Sequence, residues 1–232
     1  MSRTDRLESR REGTSLTWYT LRGNQKAQFS AVALGMLFAY LVVREMATPG
    51  FTRYWGYLVT QVGICLVVLL AGEMLFGREG GFSWPTHVLV AAGCYADVLG
   101  NDGGLYAVID EYDKITHFIG VGAVTAALFD AIRILSLRGY MTATLQQRLV
   151  LAVLLGVAFG MAWEVYEFVG DDIFNTARWR GPWDTANDML SNTLGALTVA
   201  TVLWFGETRR PSTRSNSELE AAMNEVPTRE LQ

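Results

Sequence analysis

Asp113 and His117, Glu164 and Glu167, and Asp184 and Asp188 are three pairs of ionisable residues, each near the end of an otherwise apolar stretch. Their spacings of four, three and four residues put the members of each pair on one face of a helix. Asn192 extends the Asp184–Asp188 face by one more turn, and Asp171 extends the Glu164–Glu167 face if the helix persists through Gly170. Hard oxygen donors with a single imidazole suit Mg²⁺, Mn²⁺, Fe²⁺ or Zn²⁺, and a cation offsets the mutual repulsion of the carboxylates. On this reading His117, Glu167, Asp184 and Asp188 are the expected metal ligands and Asp113 and Glu164 the expected general bases for a bound water. Asp97, Asp171 and Asn192 are auxiliary. The corresponding chemistry is hydrolysis or transfer of a phosphoryl, acyl or glycosyl group on a lipid-linked substrate. Two other readings use the same residues: a cation- or proton-coupled transporter, and a structural network pairing the acids with Lys114, Arg178 and Arg180.

The elements that must position these residues are membrane helices. Half of the 232 residues are hydrophobic and 18% are charged, with the charges gathered in the N-terminal leader, the loops and the tail. Residues 27–46, 54–76, 148–169 and 184–206 each supply about twenty apolar residues, enough to cross roughly 30 Å of hydrocarbon. Residues 113–135 form a further span with polar ends, and 84–103 a shorter and weaker one. The expected fold is therefore all-α, a polytopic transmembrane bundle of about six spans. It comprises a basic leader (1–26), one membrane domain (27–206) and a disordered polar tail (207–232). A charged group at the centre of a membrane helix costs about 2.5–3.5 kcal/mol even on insertion scales, so six near one another argue for a site.

Orientation follows from lysine and arginine. The leader (Arg3, Arg6, Arg10, Arg11, Arg22, Lys26), the loop with Arg138 and Arg148, and the tail from Arg209 and Arg210 are expected in the cytoplasm, in a plasma (inner) membrane protein with both termini inside. The 101–113 and 170–183 loops then lie outside, and all three acidic pairs meet at the outer surface. The first span reads as an uncleaved anchor, because Arg44 and Glu45 stand where a signal-peptide cleavage site needs small residues.

Several polar residues read as structural. Glu73 is expected to be an interfacial charge, Asp130 and Arg133 a helix-face pair, and His87 a packed or hydrogen-bonded histidine. Cys65 and Cys94 lack metal-motif spacing and read as packed thiols. Trp18, Tyr19, Trp55, Tyr57, Trp84, Trp179, Trp183 and Trp204 suit interfacial belts. Gly120 with Gly122, and Gly156 with Gly160, read as close helix packing. A net charge of −4 without a basic stripe beyond the leader argues against nucleic acid as a partner; membrane lipid or a lipid-linked substrate is the expected one.

The runs Tyr112-Asp113-Lys114-Ile115-Thr116-His117-Phe118, Glu164-Val165-Tyr166-Glu167 and Trp183-Asp184-Thr185-Ala186-Asn187-Asp188-Met189 resemble the motifs of the YjdF family of bacterial inner-membrane proteins. The D-K-x-x-H element, with Asn192-Thr193-Leu194-Gly195, is also similar to VanZ-like proteins. The likeness covers residues 84–206 and implies where a site lies rather than its chemistry. Phe168 replaces the usual Trp of the YjdF pattern and Ala186 the usual Gln, so Asn187, Asn192 or water must take over whatever that Gln contributes.

Overall fold

The computed structural model describes residues 24–47, 53–77, 80–174 and 179–209, without the side chains of 53–57 and 174. The leader up to residue 23, Arg178 and the tail beyond 209 lie outside this set, as do the side chains of Trp55 and Tyr57. Among the described residues the chain forms α1 (Gln25–Ala47), α2 (Arg53–Phe76), α3 (Trp84–Asn101), the short α4 (Leu105–Val108), α5 (Tyr112–Leu137), α6 (Leu145–Phe174) and α7 (Pro182–Thr208). The fold is all-helical, as the apolar runs require. Five of these helices are long and apolar enough to cross a membrane. The expected weak span, α3, is not one of them: it has 18 residues, about 27 Å at 1.5 Å per residue, and carries His87, Asp97 and Asn101.

The long helices alternate in direction and divide into two groups of three. In the first group, Leu34, Leu37 and Leu41 of α1, Leu58, Val62 and Leu69 of α2, and Ala91, Cys94 and Val98 of α3 share one buried cluster. Cys65 packs against it, and both thiols are free. In the second group, Ala126 and Phe129 of α5 meet Leu149 and Ala152 of α6 and Val199 and Leu203 of α7. Contacts between α3 and α5 join the groups. The outward faces remain apolar, with Val67, Val150, Leu154 and Val202 more than half exposed, which fits contact with acyl chains rather than water.

Small residues set the closest approaches. A Cβ on Gly195 of α7 would collide with the backbone carbonyl of Phe118 in α5, and one on Gly122 would lie 3.1 Å from Val199. The Gly156–Gly160 step serves two neighbours rather than one: Gly156 faces Thr125 of α5, whereas Gly160 faces Asn192 of α7. A Cβ on Gly120 would meet nothing within 4 Å, although the Gly120 Cα lies 3.9 Å from where a Cβ on Gly93 of α3 would stand.

Two buried clasps fix the end of the bundle where α1, α3 and α6 begin. Glu73, expected at an interface, is 1% exposed. Its carboxylate accepts from the Phe82 backbone N–H (2.8 Å) and the Asn24 amide, meets His87 Nε2 at 3.0 Å, and lies 3.4 Å from Lys26 Nζ. His87 is fully buried, with Nδ1 2.7 Å from Ser30 Oγ. A proton on Nε2 lets His87 donate to Glu73 and accept from Ser30, so every polar atom is matched. Asp130 pairs with Arg133 at 3.4 Å as expected, but it is also buried and receives Ser83 N–H, Ser83 Oγ and Thr86 Oγ1 at 2.6–2.7 Å. It anchors the start of α3 through Ser83, the residue before the helix, and the Thr86 hydroxyl, where the helix has no side-chain cap of its own.

Candidate metal centre

The acidic residues converge at the opposite end, where α5 and α7 begin and α6 ends. Asp113 and Asp184 lie in the first turns of α5 and α7, where the positive end of the helix dipole favours a carboxylate. The α5 and α7 axes run parallel and close because Gly195 lies against Phe118, and this brings Asn192 beside His117 one turn away. Gly160 leaves room on α6 for the Asn192 side chain, 2.7 Å from where a Cβ would stand.

His117 is the hub. Its Nδ1 lies 3.2 Å from Asn192 Oδ1 and 3.5 Å from Glu164 Oε1, and its Nε2 lies 3.8 Å from Asp113 Oδ1. With Asn192 Oδ1 as the acceptor, Nδ1 carries the proton. In a neutral ring the Nε2 lone pair then faces the Asp113 carboxylate, and two lone pairs pointed at each other need a cation or a proton between them. Asp113, His117 and Asp188 form one set whose ligand atoms lie within 4.8 Å of one another, and His117, Glu164 and Glu167 form a second. Both sets draw on more than one helix, and both share the one imidazole.

Three atoms in this cluster are buried without a hydrogen bond: Glu164 Oε1, Asp188 Oδ1 and Asn192 Nδ2. Their residues are 6%, 2% and 0% exposed. A buried, unpaired polar atom costs about 1–3 kcal/mol, more for a charge, so the two carboxylate oxygens lack a cation or donor and the Asn192 amide N–H lacks an acceptor.

The expected residues sort unevenly. His117, Asp188 and Glu167 fall in the ligand sets, with Asp113 and Glu164 beside them as potential ligands rather than detached bases. Asp184 falls in neither set: its Oδ2 pairs with Arg180 Nε at 3.6 Å, and Arg180 also bonds Asp113 Oδ2. Asp171 accepts the Trp179 backbone N–H at 2.7 Å, which ties the loop after α6 to its last turns. Asp97 stands in a separate network on α3, accepting from Asn101 Nδ2 (2.9 Å) and Tyr106 OH (2.8 Å), while Tyr106 OH also lies 3.1 Å from Thr116 Oγ1. Burial and the Asp97 carboxylate push the Tyr106 hydroxyl well above its ordinary pKa, so it stays a donor. Asn187 donates to the Trp183 carbonyl and Ala186 is exposed, so of the two asparagines only Asn192 meets the cluster.

Two partners escaped the sequence reading. Trp163 Nε1 donates to Glu167 Oε1 at 3.1 Å, a contact signalled only by the i,i+4 spacing. The Ser30–His87–Glu73 clasp joins three helices, and no spacing within one helix signals it.

A family profile described as predicted membrane protein (DUF2238) matches residues 29–209. An uncharacterized protein of Thermotoga maritima is 32% identical over 116 residues, 49% of this chain and 58% of that protein. The chain thus aligns with little more than half of that relative's length. No solved structure matches. With the match covering most of the chain, including the acidic end and Ser30, Glu73 and His87 of the opposite clasp, the chain belongs to the DUF2238 family of predicted membrane proteins.

Proposed function

We propose that this protein is a multi-pass inner-membrane protein that holds a divalent cation at its acidic end, near the extracytoplasmic surface, and acts there on a lipid-linked substrate by hydrolysis or group transfer. The observation that carries the reading is His117 Nε2 lying 3.8 Å from Asp113 Oδ1 while Asp188 Oδ1 stands buried without a hydrogen bond. Asn192 fixes the imidazole tautomer from behind, the role that a hydrogen-bonded second partner plays for metal-ligating histidines. Asp113 and Asp188 supply hard oxygen donors from two helices. Glu164, on the far side of the ring, is the acid best placed to take a proton, since its Oε1 is free of hydrogen bonds. A divalent cation there supplies Lewis-acid charge and a lowered pKa for a coordinated water. The likeness of the D-K-x-x-H element to VanZ-like proteins adds no chemistry to this reading.

The test is elemental analysis of the purified protein. Wild-type protein should retain about one divalent ion per chain, lost in His117→Gln and Asp188→Ala. Metal-free wild-type protein whose thermal stability ignores chelators and added Mn²⁺ or Zn²⁺ would overturn the proposal.

One observation favours transport instead. The α1–α3 and α5–α7 groups have opposite senses, and each carries a buried polar cluster where its first helix begins, a 3+3 arrangement reminiscent of inverted repeats. On that reading reconstituted protein should carry a cation or proton flux that Glu164→Gln abolishes. Sealed liposomes showing no flux for any of the candidate ions would count against it.

A further inference from the structure

Around the buried acids and His117 runs a rim of opposite charge. Arg180 is 44% exposed in its side chain and reaches two carboxylates, Asp113 Oδ2 through Nη2 and Asp184 Oδ2 through Nε. A guanidinium has five N–H donors, so donors remain beyond those two contacts. Lys114 follows Asp113 on the first turn of α5. Its side chain is 31% exposed, pairs outward with Glu111, and lies in the field of Asp184 and Asp188. Both cations are therefore partly exposed and lie beside the acidic cluster.

This order of charge discriminates among substrates. An acyl or glycosyl group is neutral and gains only hydrogen bonds to a neutral acceptor from an arginine and a lysine. A phosphate gains charge-assisted hydrogen bonds, and the arginine fork matches its geometry. We infer that the group recognised is a phosphate, held by the free N–H donors of Arg180 and by Lys114, above a cation on Asp113, His117 and Asp188. The inference rests on the metal reading above and deepens it. It also fixes an order of binding. Asp113, Asp184, Asp188, Glu164, Glu167 and Glu111 outnumber Arg180 and Lys114, so an anion is repelled until a divalent cation offsets part of the acidic charge. The phosphate belongs either to a lipid headgroup, presented at interfacial depth, or to a free phosphate from the aqueous side.

Both sources can be tested on the full chain with Mn²⁺ as the probe. Line broadening of ³¹P resonances reports phosphate within reach of bound Mn²⁺, and His117→Gln protein gives the background. One arm uses inorganic phosphate with protein in detergent. The other uses phosphatidic acid in nanodiscs of phosphatidylcholine, where selective broadening of the phosphomonoester resonance identifies a headgroup ligand. Broadening in either arm, weakened about tenfold or more in Arg180→Gln and less in Lys114→Gln when each protein is saturated with Mn²⁺, is the expected result. Phosphate affinity that is equal in wild type and both variants, or absent in both arms, would overturn the inference and leave the metal site standing. Mn²⁺ binding indifferent to His117→Gln would remove both.

Discussion

At the scale of single residues the acidic end depends on positions with no side chain as much as on the acids. Gly195 has no room for a methyl group, because the obstacle is the Phe118 backbone, which cannot rotate away. Gly195→Ala should push α7 off α5, lowering stability by roughly 1–3 kcal/mol through overpacking and separating Asn192 from His117. Gly35 of α1 has nothing within 4 Å of its Cβ position, so Gly35→Ala should be neutral or slightly stabilising. Thermal unfolding in detergent, together with metal content, checks the contrast. Equal melting temperatures for the two variants would mean that the α5–α7 approach is looser than the Gly195 contact requires.

At the scale of elements the opposite clasp decides how α1, α2 and α3 hold together. Glu73 gathers His87 from α3, Asn24 and Lys26 from the start of α1, and the Phe82 backbone between α2 and α3. Removing one partner of a buried ionic network leaves the others unsatisfied, so Glu73→Ala should cost about 3–5 kcal/mol. Asp102 makes comparable contacts at the other end, with Tyr40 OH and, at 3.5 Å, with Arg44 Nε. The Arg44 side chain is 46% exposed, so Asp102→Ala should cost only about 0–1 kcal/mol. Urea or thermal unfolding of the two variants separates these cases, and a Glu73→Ala protein as stable as Asp102→Ala would show that the clasp is not what holds the first three helices. The Asp130 cap on α3 works in the same way. Helix periodicity reveals the existence of both α3 and α5, but the cap joins residues 47 positions apart and no local pattern carries it.

At the scale of the whole molecule, the helix directions give the two ends opposite faces of the membrane, and the distribution of lysine and arginine decides which is which. With Lys26, Arg138, Arg148 and Arg209 at the end opposite the acidic site, that end is the expected cytoplasmic one. A cysteine placed at Asp110, in a background lacking Cys65 and Cys94, should react with an impermeant maleimide in intact cells. One placed at Tyr140, in the loop between α5 and α6, should react only after lysis. Reversed labelling would move the acidic end to the cytoplasm and exclude substrates confined to the outer leaflet.

Much of this protein was legible in the chain because membrane helices announce themselves by length and apolarity, and because i,i+3 and i,i+4 spacing needs no tertiary information. The all-helical fold, five of the spans and the facing of each acidic pair come from that one-dimensional pattern. Distance between helices is a different kind of quantity. The spacing of Asp184 and Asp188 treats them alike, yet Asp188 is buried beside His117 while Asp184, one turn nearer the start of α7, pairs with Arg180. Glu73 and His87 read as isolated polar residues until three helices bring them together. Only the packed bundle decides which carboxylates share the His117 imidazole, since that depends on the rotation and approach of helices set by glycines and buried contacts far apart in sequence.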